Sequence, residues 1–160
     1  MIALLRIDDR LLHGQMAISW TRFLKVDVIL IANHMAVNDE FTIMSLRLAK
    51  PRNVQIVIED LPQAISYIKQ GITLDKRIMV VVKNIRDAQE IIEQVPPICN
   101  VNIGGLRSRH SVVKIKESIS LNKEDIALCD IINKKVGMYF QEIPEDEFLN
   151  YEIWRKQVNI

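Results

Sequence analysis

A chain of 160 residues, 49% apolar and 26% charged, has the size of one ordinary domain with a substantial core, which excludes disordered, collagen-like and disulfide-scaffold classes. Its 21 basic and 20 acidic residues leave a formal charge of +1, so no global field draws it to nucleic acid or to a lipid surface.

The elements alternate along the chain. "IALLRI" from Ile2 reads as a strand and "GQMAISWTRFLK" as the helix that follows it. "DVILIA" from Asp27 is a second strand; Asn38 or Asp39 caps the helix "EFTIMSLRLAK", which must stop near Pro51 because proline disfavours helical geometry in the residue before it. "VQIVI" from Val54 leads to a helix opened by Asp60, with Gln63 three residues on in the manner of a capping box. "RIMVVV" from Arg77 leads to a similar start at Asn84 and Asp87, and "CNVNI" from Cys99 is a fifth strand. Residues 104–118 are the least regular stretch. "NKEDIALCDIINKKVG" carries acids at its start, lysines at its end and Gly137 placed to cap its last turn. "MYFQEI" from Met138 is a sixth strand, and the residues after Pro144 form a terminal helix packed through Phe148, Tyr151 and Trp154. This alternation predicts a single α/β domain over 1–160, a parallel sheet with helices on both faces. Cys99 and Cys129 fall in apolar runs without metal-ligand spacing and are expected to be small buried hydrophobes. No apolar run is long enough to span a membrane and the N-terminus lacks a signal-peptide layout, which predicts a cytoplasmic protein.

The chemistry concentrates in "RIDDRLLHGQ", residues 6 to 15, where the first strand gives way to the first helix. In open α/β sheets, ligands bind beyond the carboxyl ends of the strands. A helix starting near His13 and Gly14 turns its free N–H groups and positive dipole end toward an anion, and Gly14 lets the backbone approach it. A neutral imidazole beside such a site can attack phosphorus and hold the phosphoryl group covalently. Arg10 offers a planar fork for phosphate oxygens, Asp8 or Asp9 can orient Arg10 or fix the imidazole tautomer, and Arg6 is a second cation or a strand-edge residue. The same residues also fit a polar turn: acids before a helix are often N-caps, and a lone loop histidine is usually a surface residue.

"LLRIDDRLLHGQ" closely resembles the opening of IIB components of mannose-fructose-sorbose family sugar phosphotransferase systems. The resemblance continues, in family order, through "VNDEF", "NIGGLRS", "SISLNKEDI" and "VGMYFQEIPED", across essentially the whole chain. It implies an open, mostly parallel, twisted sheet. It also makes His13 the phosphorylated residue, Arg10 the phosphate-holding arginine, and Asp8, Asp9, Gly14 and Gln15 the rest of the signature loop. The phosphoryl group would come from a phosphohistidine on a IIA partner, ride on the imidazole Nδ1 and pass to a sugar entering through the membrane components IIC and IID, with no metal or organic cofactor. Since the first strand begins at Met1, the IIA donor is expected to be a separate polypeptide. "IANHMAVND" departs from the family in His34 and Met35, where a more acidic loop of smaller residues is expected, and "LRSRHSVV" differs from commoner forms.

Gly104 and Gly105 end a strand and could, at positive φ, aim N–H groups at a phosphate as a second wall, or make a plain turn. Arg107, Arg109, His110, Lys114 and Lys116 form a local basic run, either a docking rim or a solvated face, and Trp20 reads as core. Neither His34 nor His110 has metal-ligand spacing. Two other readings stand beside the leading one. In a receiver-like signalling domain Asp60 would be phosphorylated and "DD" would hold Mg²⁺; in a non-catalytic module the same loop would only bind a phosphorylated ligand.

Overall fold

In a computed structural model that describes residues 1–95, 98 and 100–160, the strands are β1 (Ile2–Asp8), β2 (Val28–Ala32), β3 (Gln55–Glu59), β4 (Ile78–Val82), β5 (Asn100–Arg107), β6 (Val113–Lys116), β7 (Ile119–Leu121), β8 (Gly137–Phe140) and β9 (Leu149–Asn150). The helices are α1 (Gly14–Leu24), α2 (His34–Val37), α3 (Glu40–Ala49), α4 (Leu61–Thr73), α5 (Ile85–Gln94), α6 (Lys123–Asn133) and α7 (Tyr151–Gln157). The expectation for Cys99 falls outside the described residues; Cys129 is buried and free, and burial pushes its thiol far up.

The sheet runs β3-β2-β4-β1-β5 in parallel, as the alternation predicts. The central strands "VILIA" and "IMVVV" are buried at every position, because helices cover both faces and no alternate residue meets water. Met16, Ala17 and Trp20 of α1, Ala36 of α2 and Leu46 of α3 pack on one face; α4 to α7 cover the other around Ile68, Ile91, Cys129 and Tyr151. Each such Leu, Ile or Val contributes roughly 1.5–3 kcal/mol by leaving water. No helix among the described residues is long and apolar enough to cross a membrane.

Beyond β1 the sheet forks. The first half of β5, Asn100 to Ile103, pairs with β8, whereas Leu106 and Arg107 pair with β7, and β6 folds back antiparallel on β7. Strand β8 is the expected sixth strand, whereas this hairpin and the two-residue β9 are absent from the expected set: residues 104–118 are polar with only brief alternation, and two residues carry no strand pattern. Gly104 and Gly105 therefore lie inside a strand at the fork rather than in a turn, and neither has positive φ.

Helix caps follow the sequence closely. Asp39 accepts from Thr42 N–H, Asp60 from Gln63 N–H at 3.0 Å and Asn84 from Asp87 N–H at 2.9 Å, while the full reciprocal box forms at Asn122 and Asp125. Gly137 opens β8 instead of capping α6, which ends at Lys134 in right-handed geometry. Tyr151 and Trp154 are buried against Phe140, but Phe148 stays exposed and stacks on Tyr139, with 4.6 Å between ring centres.

Candidate functional site

The loop between β1 and α1 is tied down by its own sequence. Leu11 and Leu12 bury their side chains in the α1–α3 layer, and Leu11 N–H donates to Asp8 C=O at 2.9 Å. That turn puts Leu11 at φ 60°, a left-handed conformation that costs a leucine about 1–2 kcal/mol and is offset by its burial. His13 follows as the residue before α1, extended, with no side-chain bond to the helix it precedes. Ala17 donates the first intrahelical bond, to His13 C=O, so the amides of Gly14, Gln15 and Met16 have no helical partner. Gly14, at φ +40°, makes this entry possible.

Asp8, at the end of β1, is 1% exposed and organises the loop. Its Oδ1 accepts the Arg10 N–H at 3.0 Å, and its Oδ2 lies 2.9 Å from His13 Nε2. An ionised carboxylate only accepts, so the nitrogen facing it is the one that donates, and in a neutral imidazole that arrangement leaves Nδ1 unprotonated. Arg10 Nη2 stands 2.6 Å from Nδ1 and 3.2 Å from Nε2, donating to the unprotonated nitrogen.

Arg6, also 1% exposed, lies under Asp8. Its Nε and Nη2 donate to Asp8 Oδ2 at 3.2 and 2.9 Å, and its Nη1 donates to Asn102 Oδ1 at 2.7 Å and to the Gln141 and Glu142 carbonyls at 3.3 and 2.9 Å. The guanidinium fills the fork between β5 and the end of β8, satisfying carbonyls that no strand reaches there. Gly104 leaves room for it: a Cβ at that position would stand 2.0 Å from Arg6 Cζ. Gly105 does the same for Asp8, whose Oδ1 would be 3.0 Å from its Cβ. Burial alone would push the Asp8 carboxyl up, but the His13 hydrogen bond and the Arg6 charge together hold it below the usual carboxylate range. Burial pulls the Arg6 guanidinium down against Asp8, from a level so high that it stays charged.

Asp9 faces elsewhere, holding Arg107 through its N–H, Nε and Nη2 at 2.9, 3.2 and 2.7 Å. The two acids of "DD" thus have separate roles, one under the imidazole and one pinning the opposite wall. A cleft of about 430 Å³ lies between, lined by Arg6, Asp8, Arg10 and His13, by the α1 amides, and by Gly104, Gly105, Arg107, Ser118 and Glu142. Gln15 lines it too, its amide donating to Ser19 Oγ at 3.3 Å.

Asn102, Ser118 and Glu142 escape sequence reasoning as site residues. Asn102 carries a readable signal, being the one polar side chain among the buried positions of β5. Ser118 donates to Glu142 Oε1, a contact that no spacing announces. Of the basic run, only Arg107 joins the cleft; Lys114 pairs with Glu117 at 2.7 Å, and Arg109 and His110 are exposed. Trp20 is buried and donates to Glu142 C=O at 3.0 Å. Asp60 caps α4, and both members of "DD" are committed to cations or His13, so among the described residues the receiver-like reading finds no carboxylate set for Mg²⁺.

Known proteins resemble the chain in both sequence and fold. The model of the family "PTS system sorbose subfamily IIB component" matches residues 2–158. A probable phosphotransferase enzyme IIB component of Streptococcus pyogenes is 35% identical over 132 residues, 79% of this chain and 81% of that protein. The mannose-specific EIIAB component of Escherichia coli is 28% identical over 134 residues, covering 84% of this chain and 42% of the longer protein. The crystal structure of the IIBSor domain of the sorbose permease from Klebsiella pneumoniae superposes with a TM-score of 0.90 at 26% identity, over 100% of this chain and 99% of that one. The chain accordingly belongs to the sorbose subfamily of IIB components, phosphoryl-transferring parts of sugar phosphotransferase systems.

Proposed function

We propose that His13 is the phosphoryl carrier and that the bond forms at Nδ1. The observation that carries this reading is the division of the imidazole between its partners: Asp8 Oδ2 at 2.9 Å from Nε2, and Nδ1 turned to Arg10 at 2.6 Å. In the first step the Nδ1 lone pair attacks the phosphorus of a phosphohistidine on a IIA protein. The new N–P bond forms as the old one breaks, and the donor imidazole leaves with its electron pair. The Nε2 proton stays at Asp8, whose negative charge offsets the positive charge gained by the ring. Arg10 shifts from Nδ1 to the phosphoryl oxygens, and the free amides of Gly14, Gln15 and Met16 complete an electrostatic cradle. In the second step a sugar hydroxyl attacks the phosphorus, Nδ1 recovers its pair and the hydroxyl proton passes to water. The sugar is presented by the membrane components IIC and IID, and the protein works at the cytoplasmic face. The IIA partner has support in the EIIAB relative, whose name joins A and B in one chain.

Phosphorylating the protein with a IIA phosphohistidine donor, or with phosphoramidate, tests the reading. The expected product is acid-labile and base-stable, with the phosphoryl group on Nδ1 of His13 by nitrogen and phosphorus NMR. Full phosphorylation of His13→Ala, or a hydroxylamine-sensitive product on Asp60, overturns it.

Arg10→Ala should lower the rate of transfer to His13 by about 10²-fold or more, the scale of one preorganised donor in a transition state. Since Arg10 is exposed, its loss should change unfolding free energy by only about 0.5 kcal/mol. Single-turnover transfer and urea unfolding on the same variant check both halves.

A further inference from the structure

Helix α3 carries an apolar stripe on the side away from its own core. Phe41, Met44 and Leu48 are 78, 63 and 85% exposed, whereas Leu46, almost diametrically opposite them, is buried against the sheet. The spacing of three then four residues is that of the a, d and a positions of a heptad, the pattern by which one helix packs along another. In that frame Glu40 and Arg47 occupy the flanking g positions, both exposed and neither in an ion pair among the described residues.

We propose that this stripe is the contact of a two-fold dimer of the chain, with α3 antiparallel to its copy and Met44 at the axis. The charges select this occupant and this direction. Antiparallel pairing about Met44 sets Phe41 of one protomer beside Leu48 of the other and Glu40 beside Arg47, and the symmetry repeats both contacts. A parallel pairing would instead set each g position across from the partner's next e position, leaving Glu40 beside the uncharged Ser45 and both charges unmatched. Three apolar side chains per protomer and two flanking ion pairs per dimer make an interface below the standard size, so the dimer is a weak one, expected at roughly 10–100 µM. The contact involves no residue of the His13 cleft, and it stands whether or not His13 carries phosphate.

Sedimentation velocity on the full chain from about 1 to 500 µM tests it. The weight-average mass should rise from one chain toward two across that range. Met44→Glu, which brings two carboxylates together at the axis, should hold the protein monomeric throughout. Glu40→Arg should weaken association at least tenfold by opposing two cations, and the double variant Glu40→Arg/Arg47→Glu should restore it to within about threefold. Phosphorylation of His13 by phosphoramidate should be unchanged in all three, which verifies that each is folded. A monomer at every concentration, a dimer indifferent to Met44→Glu, or no recovery in the double variant overturns the proposal. So does a loss of IIA-dependent transfer in a monomeric Met44→Glu protein, which would assign the stripe to the donor.

Discussion

Asp8→Asn should cost about 3–5 kcal/mol of stability at neutral pH and slow transfer to His13 by about 10²-fold or more. The stability loss follows from what the substitution leaves behind: Arg6 stays almost fully buried, with its charge unmatched, among Asn102 and two carbonyls. Removing one partner of a buried pair leaves a stranded charge, which costs far more than the pair itself contributed. The rate loss has a different origin. An amide in place of the carboxylate can offer its N–H to Nε2, which favours the tautomer with the proton on Nδ1 and so removes the attacking lone pair. The pH dependence separates the two. Asp8 titrates below the ordinary carboxylate range in the folded protein, so its contribution is complete above the unfolded-chain value near pH 4 and is lost as pH falls through the lower native value. The gap in unfolding free energy between wild type and Asp8→Asn should therefore be widest at pH 7 and narrow progressively below about pH 4. Urea unfolding at several pH values measures it; a gap that is constant with pH would mean that the pair contributes nothing electrostatic.

How much of this site was legible depends on the range of each contact. His13, Arg10 and Gly14 lie within five residues of one another at a strand-to-helix turn, and local rules about helix ends and anions identify them as a group. The parallel sheet was equally legible, because fully buried strands write themselves as unbroken runs such as "IMVVV". The division of labour between Asp8 and Asp9 was not. It depends on the pleat, which sends Asp8 toward Arg6 and His13 and leaves Asp9 to meet Arg107, 98 positions away. Arg6 was ambiguous for the same reason: a cation in a strand reads as an edge residue unless its distant partners, Asn102 and the carbonyls of Gln141 and Glu142, are known. The β6–β7 hairpin was missed because short, amphipathic strands leave a signal too weak to separate from a polar loop.

Gly104 shows how a residue can be singled out for the wrong physical reason. Glycine in "NIGG" suggested a backbone free to adopt positive φ, yet the observed backbone is ordinary strand, and what the position requires is the absence of a Cβ. Gly104→Ala should therefore destabilise the protein by about 3 kcal/mol or more, beyond the usual range for a strand glycine. A new methyl carbon 2.0 Å from Arg6 Cζ and Nη1 cannot be accommodated by a small shift. A free arginine would swing its tip aside at little cost, but this one is bonded to Asp8, Asn102 and two carbonyls, so any displacement strands several buried polar groups at once. Gly105→Ala offers the internal comparison. Its Cβ would press on Asp8 at 3.0–3.3 Å, a contact relieved by a few tenths of an ångström, so about 1–2 kcal/mol is expected. The two alanine variants should rank in that order in thermal unfolding, and both should lower transfer to His13, because each disturbs the carboxylate that fixes the imidazole. If Gly104→Ala proved as stable as wild type, Arg6 would be free to move, and its role in holding Asp8 rigidly under the imidazole would have to be abandoned.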